Sequence, residues 1–338
     1  MSLTVCIVAN SCIIRNVQIN DRHAMSQPEL TLVTRLQGNN AALLGGSVTP
    51  QGFTLQFEEV PVLVHAFRRM VRQLEFDICE MALTTYLCAR EHGVKFTALP
   101  VFLVRAFHHG AIFYNADIPV LRPKDLEGCR VGVNRGYTVT TGVWARSILQ
   151  EEHGVDLSKV TWVLSGDEHV EAYRHPPNVE AIAAGATIEE QLESGELAAA
   201  INIKTDNSNF QTLIKDPIAA GLAAYQSRGH YPINHLIAVR DDVLDEHPDL
   251  AVAIFNAFAE SKNRYLKRLR DGTIEKPDAT DKFYARILEL GGDPLPYGIE
   301  PNRPVLEYLI GHALTQKILT KPVEIESLFA PTTRTLTG

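Results

Sequence analysis

The chain has 338 residues, 45% of them hydrophobic and 21% charged, and a formal net charge of −8. That length exceeds one minimal core and predicts two lobes or domains. Lysines and arginines scattered over an acidic background exclude generic nucleic-acid binding, which needs a basic patch.

Residues 1–29 read as an appendage. The opening MSLTVCIVANSCIIRN lacks a basic n-region and a clear small-residue cleavage site, so it is a poor secretory signal. Strands are predicted at LTLVTR (30–35) and, from its alternation, at FTLQFEEV (53–60). After Pro61, VLVHAFRRMVRQL has helical spacing, and strand FDICEMAL and helix TTYLCAREHG follow. Further strands are expected at FTALPVFLVR (96–105), RVGV (130–133) and VTWVL (160–164), with a helix over 140–152 between the last two. AAAIN (198–202) and HLIAVR (235–240) complete the strands. The tail is helical, and DLAVAIFNAFAESKNRYLKRL (249–269) is its longest amphipathic run. Such alternation predicts parallel α/β sheets. DEHVEAY (167–173) and the charged tail helices read as solvated surface.

Two crossings between lobes are expected, one near 105–110 and one in the polar stretch 204–232. They divide the chain into lobe A (30–108 and 232–338) and lobe B (109–231). No apolar run approaches the ~20 residues that span a membrane. The five cysteines, Cys6, Cys12, Cys79, Cys88 and Cys129, are odd in number and lack CxxC spacing. They read as reduced thiols of a cytoplasmic protein.

Three stretches place polar groups at corners of apolar elements, where binding groups are usually displayed. They are LPVFLVRAFHHGAIFYN (99–115), DLEGCRVGVNRGYTVTTGVW (125–144) and GHYPINHLIAV (229–239). Arg105 ends a strand, where a forked cation either clamps a substrate carboxylate or pairs internally with Glu80 or Asp77. His109 and His235 end strands of different lobes and are expected to face each other, with His108 pointing elsewhere. Gly136, Tyr137, Thr138, Thr140 and Thr141 precede or open a helix, a place suited to an anion, with threonine capping as the plainer alternative. No HxH or HExxH spacing occurs, so no cofactor is expected. A divalent metal held by Glu80, His109 and His235 is the alternative.

Several ordered blocks resemble the 4,5-dihydroxyphthalate decarboxylase family. They are FDICEMALTTYL (76–87), LPVFLVRAFHHGAIFYN, DLEGCRVGV with GYTVTTGVWARSIL (136–149), YPINH (231–235), and LPYGIEPNRPVLEYL with SLFAP near the end. The resemblance covers about residues 30–332. It implies an α/β, two-lobed, type II periplasmic-binding-protein-like fold with a central cleft. Relatives commonly carry a charged loop after the first strand; here it reads Leu36, Gln37, Gly38, Asn39 and Asn40. His108 stands where relatives tend to have arginine, and Arg135 where many have none.

The resulting expectation is a cofactor-independent decarboxylase of a hydroxylated, phthalate-like aromatic carboxylate, giving a dihydroxybenzoate-type product and CO2. His235 would protonate the ring carbon that loses CO2, and His109 would contact the phenol. Arg105, Thr138 and Thr141 would orient carboxylate, with Arg135, Gly136, Tyr137, Thr140, Glu80 and Asn234 completing the substrate site. The partner is a small molecule, neither nucleic acid nor membrane, and a homo-oligomer is left open. The alternatives are a cytoplasmic binding protein for an aromatic or heterocyclic acid, or another small-ring biosynthetic enzyme on the same fold.

Overall fold

The computed structural model describes residues 27–118 and 122–338. The expected appendage, 1–29, lies outside them except for its last three residues, and Glu29 already belongs to the first strand.

In chain order the first half comprises β1 (Glu29–Val33), α1 (Ala41–Leu44), β2 (Thr54–Phe57), α2 (Leu63–Gln73), β3 (Ile78–Ala82), α3 (Leu83–Glu91) and β4 (Phe96–Arg105). Next come β5 (Ile112–Asn115), β6 (Arg130–Val133), α4 (Thr140–His153), β7 (Thr161–Leu164), β8 (Val179–Ala181), α5 (Ile188–Ser194), β9 (Ala199–Ile201) and β10 (Phe210–Thr212). The chain closes with α6 (Pro217–Arg228), β11 (Ile233–Arg240), α7 (Asp241–Glu246), α8 (Leu250–Arg270), α9 (Ala279–Glu289) and α10 (Arg303–Thr315).

The strands form two sheets, ordered β2-β1-β3-β11-β4 and β10-β5-β9-β6-β7-β8. The chain passes from the first to the second through 106–111 and returns through a segment that contains α6. That return is not the plain polar crossing expected over 204–232. Asp216 caps α6 through its carboxylate, with Pro217 at the first position, a strong helix start.

Neither sheet is purely parallel, contrary to the expectation. β11 runs antiparallel to both β3 and β4, and β5 runs antiparallel to β9 and β10. The reversed strands directly follow the two connections, so each sheet takes into its interior a strand arriving from the other lobe's side.

α4 ties the second sheet to the C-terminal region. The Trp144 indole donates to the Ile233 carbonyl at 2.9 Å, and Arg146 donates to Gln316 at 2.8 Å. No described helix is long and apolar enough to cross a membrane.

The register between β11 and β4 slips on either side of His235. Asn234 is the extra residue, because Ile233 opposes Arg105 and His235 opposes Val104. Consecutive residues of a regular strand point to opposite faces. A bulge re-aims one of them, and here Asn234 and His235 both line the same cleft.

Candidate active site

The cleft between the sheets encloses about 480 Å³ and takes its lining from both. Its cations stand beyond the C-terminal ends of strands, where open α/β sheets present ligand sites. Arg35 follows β1, Arg135 follows β6 and Lys204 follows β9. All three reach solvent, and none has a carboxylate partner among the described residues. Arg135 (φ 76°) and Asn202 (φ 63°), which also lines the cleft, adopt left-handed backbone. That conformation costs a non-glycine residue about 1–2 kcal/mol and is concentrated at functional corners. Partial burial also draws the Arg135 pKa below its ordinary value.

The floor is made where the N-termini of α3 and α4 meet. Neither helix has a capping side chain of its own. Thr140 Oγ instead accepts from the Thr84 amide at 3.1 Å, bridging the two helices, while Thr141 opens into the cleft. Thr85 lines the same floor, and its buried hydroxyl has no partner among the described residues. Two helix starts with free hydroxyls favour an anion. The opposite wall, Val60 to Val64 with Phe67, is mostly apolar.

His235 stands between floor and wall. It opposes Ala82 across β3, so Glu80, two residues back on the same face, is its diagonal neighbour. The His235 ring shares a 2.6 Å hydrogen bond with Glu80 through Nδ1. Glu80 is fully buried and also accepts from Thr34 Oγ at 2.6 Å and the Arg35 amide at 3.1 Å. Burial would push the Glu80 carboxyl up, but its bonds to His235, Thr34 and the Arg35 amide, with the imidazole's charge, bring it below the ordinary value. A buried carboxylate thus backs an imidazole whose other nitrogen remains available. Phe67 holds the ring edge-on at 5.2 Å between centroids.

Of the residues singled out from the sequence, His235, Asn234, Arg135, Thr140 and Thr141 line the cleft, and Glu80 lies directly behind His235. The others lie elsewhere. His109 is buried and turned toward α4, where Glu152 receives it at 3.0 Å and Arg228 at 2.5 Å. Burial would raise the Glu152 carboxyl, but these two partners take it down to about 2. Glu80, His109 and His235 therefore do not converge as one metal-ligand set. His108 does point away from the cleft and braces Asn234 at 2.8 Å.

Arg105 does not line the cleft, and it does not pair with Glu80 or Asp77. It donates to the Tyr231 carbonyl at 2.9 Å and to Asn302, and lies against the Tyr231 ring. The corner Gly136–Thr138 does receive an anion, but the protein supplies it. Glu168 accepts from the Tyr137 amide, from Thr138 Oγ at 2.6 Å and from the Thr138 amide at 3.2 Å. A Cβ on Gly136 would meet the Glu168 carboxylate at 2.6 Å.

Sequence reasoning missed Arg35, Lys204 and His169. The two cations carried a usable signal, since each closely follows the end of an apolar strand. Arg35 also restores charge beside the loop 36–40, where its loss was expected. His169 lies in the stretch read as solvated surface, yet Glu168, His169, Val170 and Tyr173 are all buried. The cause is Arg72 of α2, which donates to the carbonyls of Glu168 at 2.8 Å and His169 at 3.1 Å. Arg68 adds a 2.6 Å pair with Asp167.

Two interlocking α/β lobes around a polar cleft define the class of proteins with the periplasmic-binding-protein fold. Solved structures share it at low identity. A Candida albicans protein described as having the generic periplasmic-binding-protein fold superposes with a TM-score of 0.53 at 12% identity, over 92% of this chain and 99% of that one. A desulfurization enzyme in complex with biphenyl-2-sulfinic acid gives 0.51 at 13%, over 90% and 96%.

No family model matches the chain. The 4,5-dihydroxyphthalate decarboxylase of Comamonas testosteroni is 31% identical over 328 residues, covering 91% of this chain and 98% of that protein. Its Pseudomonas putida counterpart is 37% identical over 175 residues, covering 48% and 67%. The chain belongs to the 4,5-dihydroxyphthalate decarboxylase family and is an enzyme of the carboxy-lyase class.

Proposed function

We propose that the protein removes CO2 from a hydroxylated benzenedicarboxylate, with 4,5-dihydroxyphthalate the first candidate and a dihydroxybenzoate the product. The observation that carries this reading is the carboxylate-backed imidazole of His235 in a cleft with three unpaired cations. A purely binding cleft needs the cations but gains nothing from a proton donor held by a buried glutamate.

Loss of CO2 from an aryl ring leaves an electron pair in the ring plane, which is unfavourable. A hydroxyl ortho or para to the carboxylate opens another route. His235, protonated, gives its proton to the carbon bearing the carboxylate while the hydroxyl loses its own, forming a dienone. The C–CO2 bond then breaks, and its electrons restore the aromatic ring as a phenolate. The phenolate regains a proton, so the net change consumes one proton and releases CO2. Arg35, Arg135 and Lys204, with the starts of α3 and α4, would hold the remaining carboxylate and steady the phenolate charge. The apolar wall favours neutral CO2 over the carboxylate it came from. The scheme draws on side chains alone, and we propose that it runs without a cofactor. We also propose a cytoplasmic setting, which fits three free thiols, Cys79, Cys88 and Cys129.

The test is CO2 release from a panel of hydroxylated phthalates and benzoates. His235→Gln keeps a polar group but removes the acid, and should lower turnover ~10²–10⁴-fold. Turnover in D2O should place one deuterium at the vacated carbon. A Gln variant that decarboxylates at the parent rate sinks His235 as the acid, and a parent that releases no CO2 from any member sinks the reading as a whole.

A further inference from the structure

The scheme above leaves open what receives the hydroxyl proton, since His109 is locked to Glu152 away from the cleft. A second imidazole occupies the cleft from the opposite side. His169, between β7 and β8, lines the cleft and is only 4% exposed. Its ring forms no hydrogen bond among the described residues, and its Nδ1 is buried without a partner. Phe67 meets it edge-on at 6.3 Å, as it meets His235 at 5.2 Å. One phenyl ring therefore separates an imidazole of the first lobe from an imidazole of the second.

We propose that His169 accepts the proton of the substrate's ring hydroxyl while His235 protonates the carbon that loses CO2. This assignment rests on the decarboxylase reading and completes it. Electrons and protons balance without further reactants: the O–H electrons form the dienone carbonyl as His169 takes the proton. After CO2 departs, the phenolate recovers that proton from His169, and solvent recharges His235.

The surroundings keep the imidazole unprotonated before substrate binds. Burial, with Arg68 of α2 and Arg135 beyond β6, holds the His169 pKa down at about 4 against the opposing pull of Glu168 and Asp167. The ring is thus neutral, with a lone pair, at neutral pH. A carboxylate bound at Arg135 cancels one of the charges that lower it, making His169 a better base once substrate is present. The Arg72 bonds to the Glu168 and His169 carbonyls fix the backbone that carries the ring.

The experiment compares parent, His169→Gln and His169→Asn with 4,5-dihydroxyphthalate across pH, and measures binding of phthalate, which lacks the hydroxyl. Turnover of the variants should fall ~10²–10⁴-fold with KM little changed and phthalate still bound. The ratio of variant to parent turnover should rise about tenfold per pH unit as solvent ionises the substrate hydroxyl itself. A ratio independent of pH, or variants at the parent rate, overturns the assignment while leaving the decarboxylase reading intact. Loss of phthalate binding in both variants makes His169 a structural residue and also overturns it. A parent inert toward 4,5-dihydroxyphthalate and all related hydroxylated acids removes the reading and this assignment together.

Discussion

Glu168 fills the amide corner before α4 with a carboxylate from the same lobe, so the threonine beside it serves folding. Thr138 is fully buried and gives Glu168 both its hydroxyl and its amide. Thr138→Ala should cost about 1–3 kcal/mol, because a buried acceptor loses a donor. The thermal midpoint should drop while affinity for a carboxylate ligand stays unchanged. A calorimetric melt beside a phthalate titration checks it, and the opposite pattern would return Thr138 to the ligand site. Thr141, which lines the cleft, is the threonine whose loss should weaken phthalate binding with little effect on the melt.

At the scale of elements, strands with a strong apolar run were legible and short or context-dependent pieces were not. FTALPVFLVR coincides with β4 because nearly every residue of that strand is buried, a pattern that burial itself writes into the sequence. β8 and β10 have three residues each, too few to show alternation, and take their conformation from neighbouring strands. The direction of β11 and its bulge depend on pairing with residues more than a hundred positions away, so the placement of Asn234 and His235 was only half readable. The loop carrying His169 looked solvated because its cover comes from α2. Arg72→Ala should release that loop. Its ion pairs to Asp167 and Glu171 involve exposed carboxylates and are worth little, whereas the two carbonyl bonds are partly buried. Amide exchange over 165–173 should accelerate while α2 itself keeps its protection; unchanged exchange would mean that the loop holds its place without the arginine.

At the scale of the whole molecule, neutral histidines buried at the cleft and at the connections couple stability to pH. Burial lowers His108, His169 and His230 to about 4 from an ordinary 6.5. Between those values the unfolded chain binds protons that the folded one refuses. Stability is therefore complete above pH ~6.5 and falls by about 1 kcal/mol per histidine for each pH unit toward 4. Glu80 and Glu168 add a second loss further down: their lowered pKa values stabilise the fold above the ordinary carboxylate range, and that contribution disappears as pH falls through them. Thermal melts from pH 7.5 to 4.5 should show a steady decline beginning near 6.5. A flat profile down to pH 5 would contradict the neutral state of these rings.

Arg72 holds the loop around His169 by main-chain oxygens, which every amino acid offers alike. An attachment of that kind is indifferent to what the loop displays. A change of side chain at position 169 can therefore alter the chemistry offered to the cleft without loosening the segment that presents it. Placement and chemistry are thus separable at this position, and the Gln and Asn variants of His169 report on proton transfer rather than on folding.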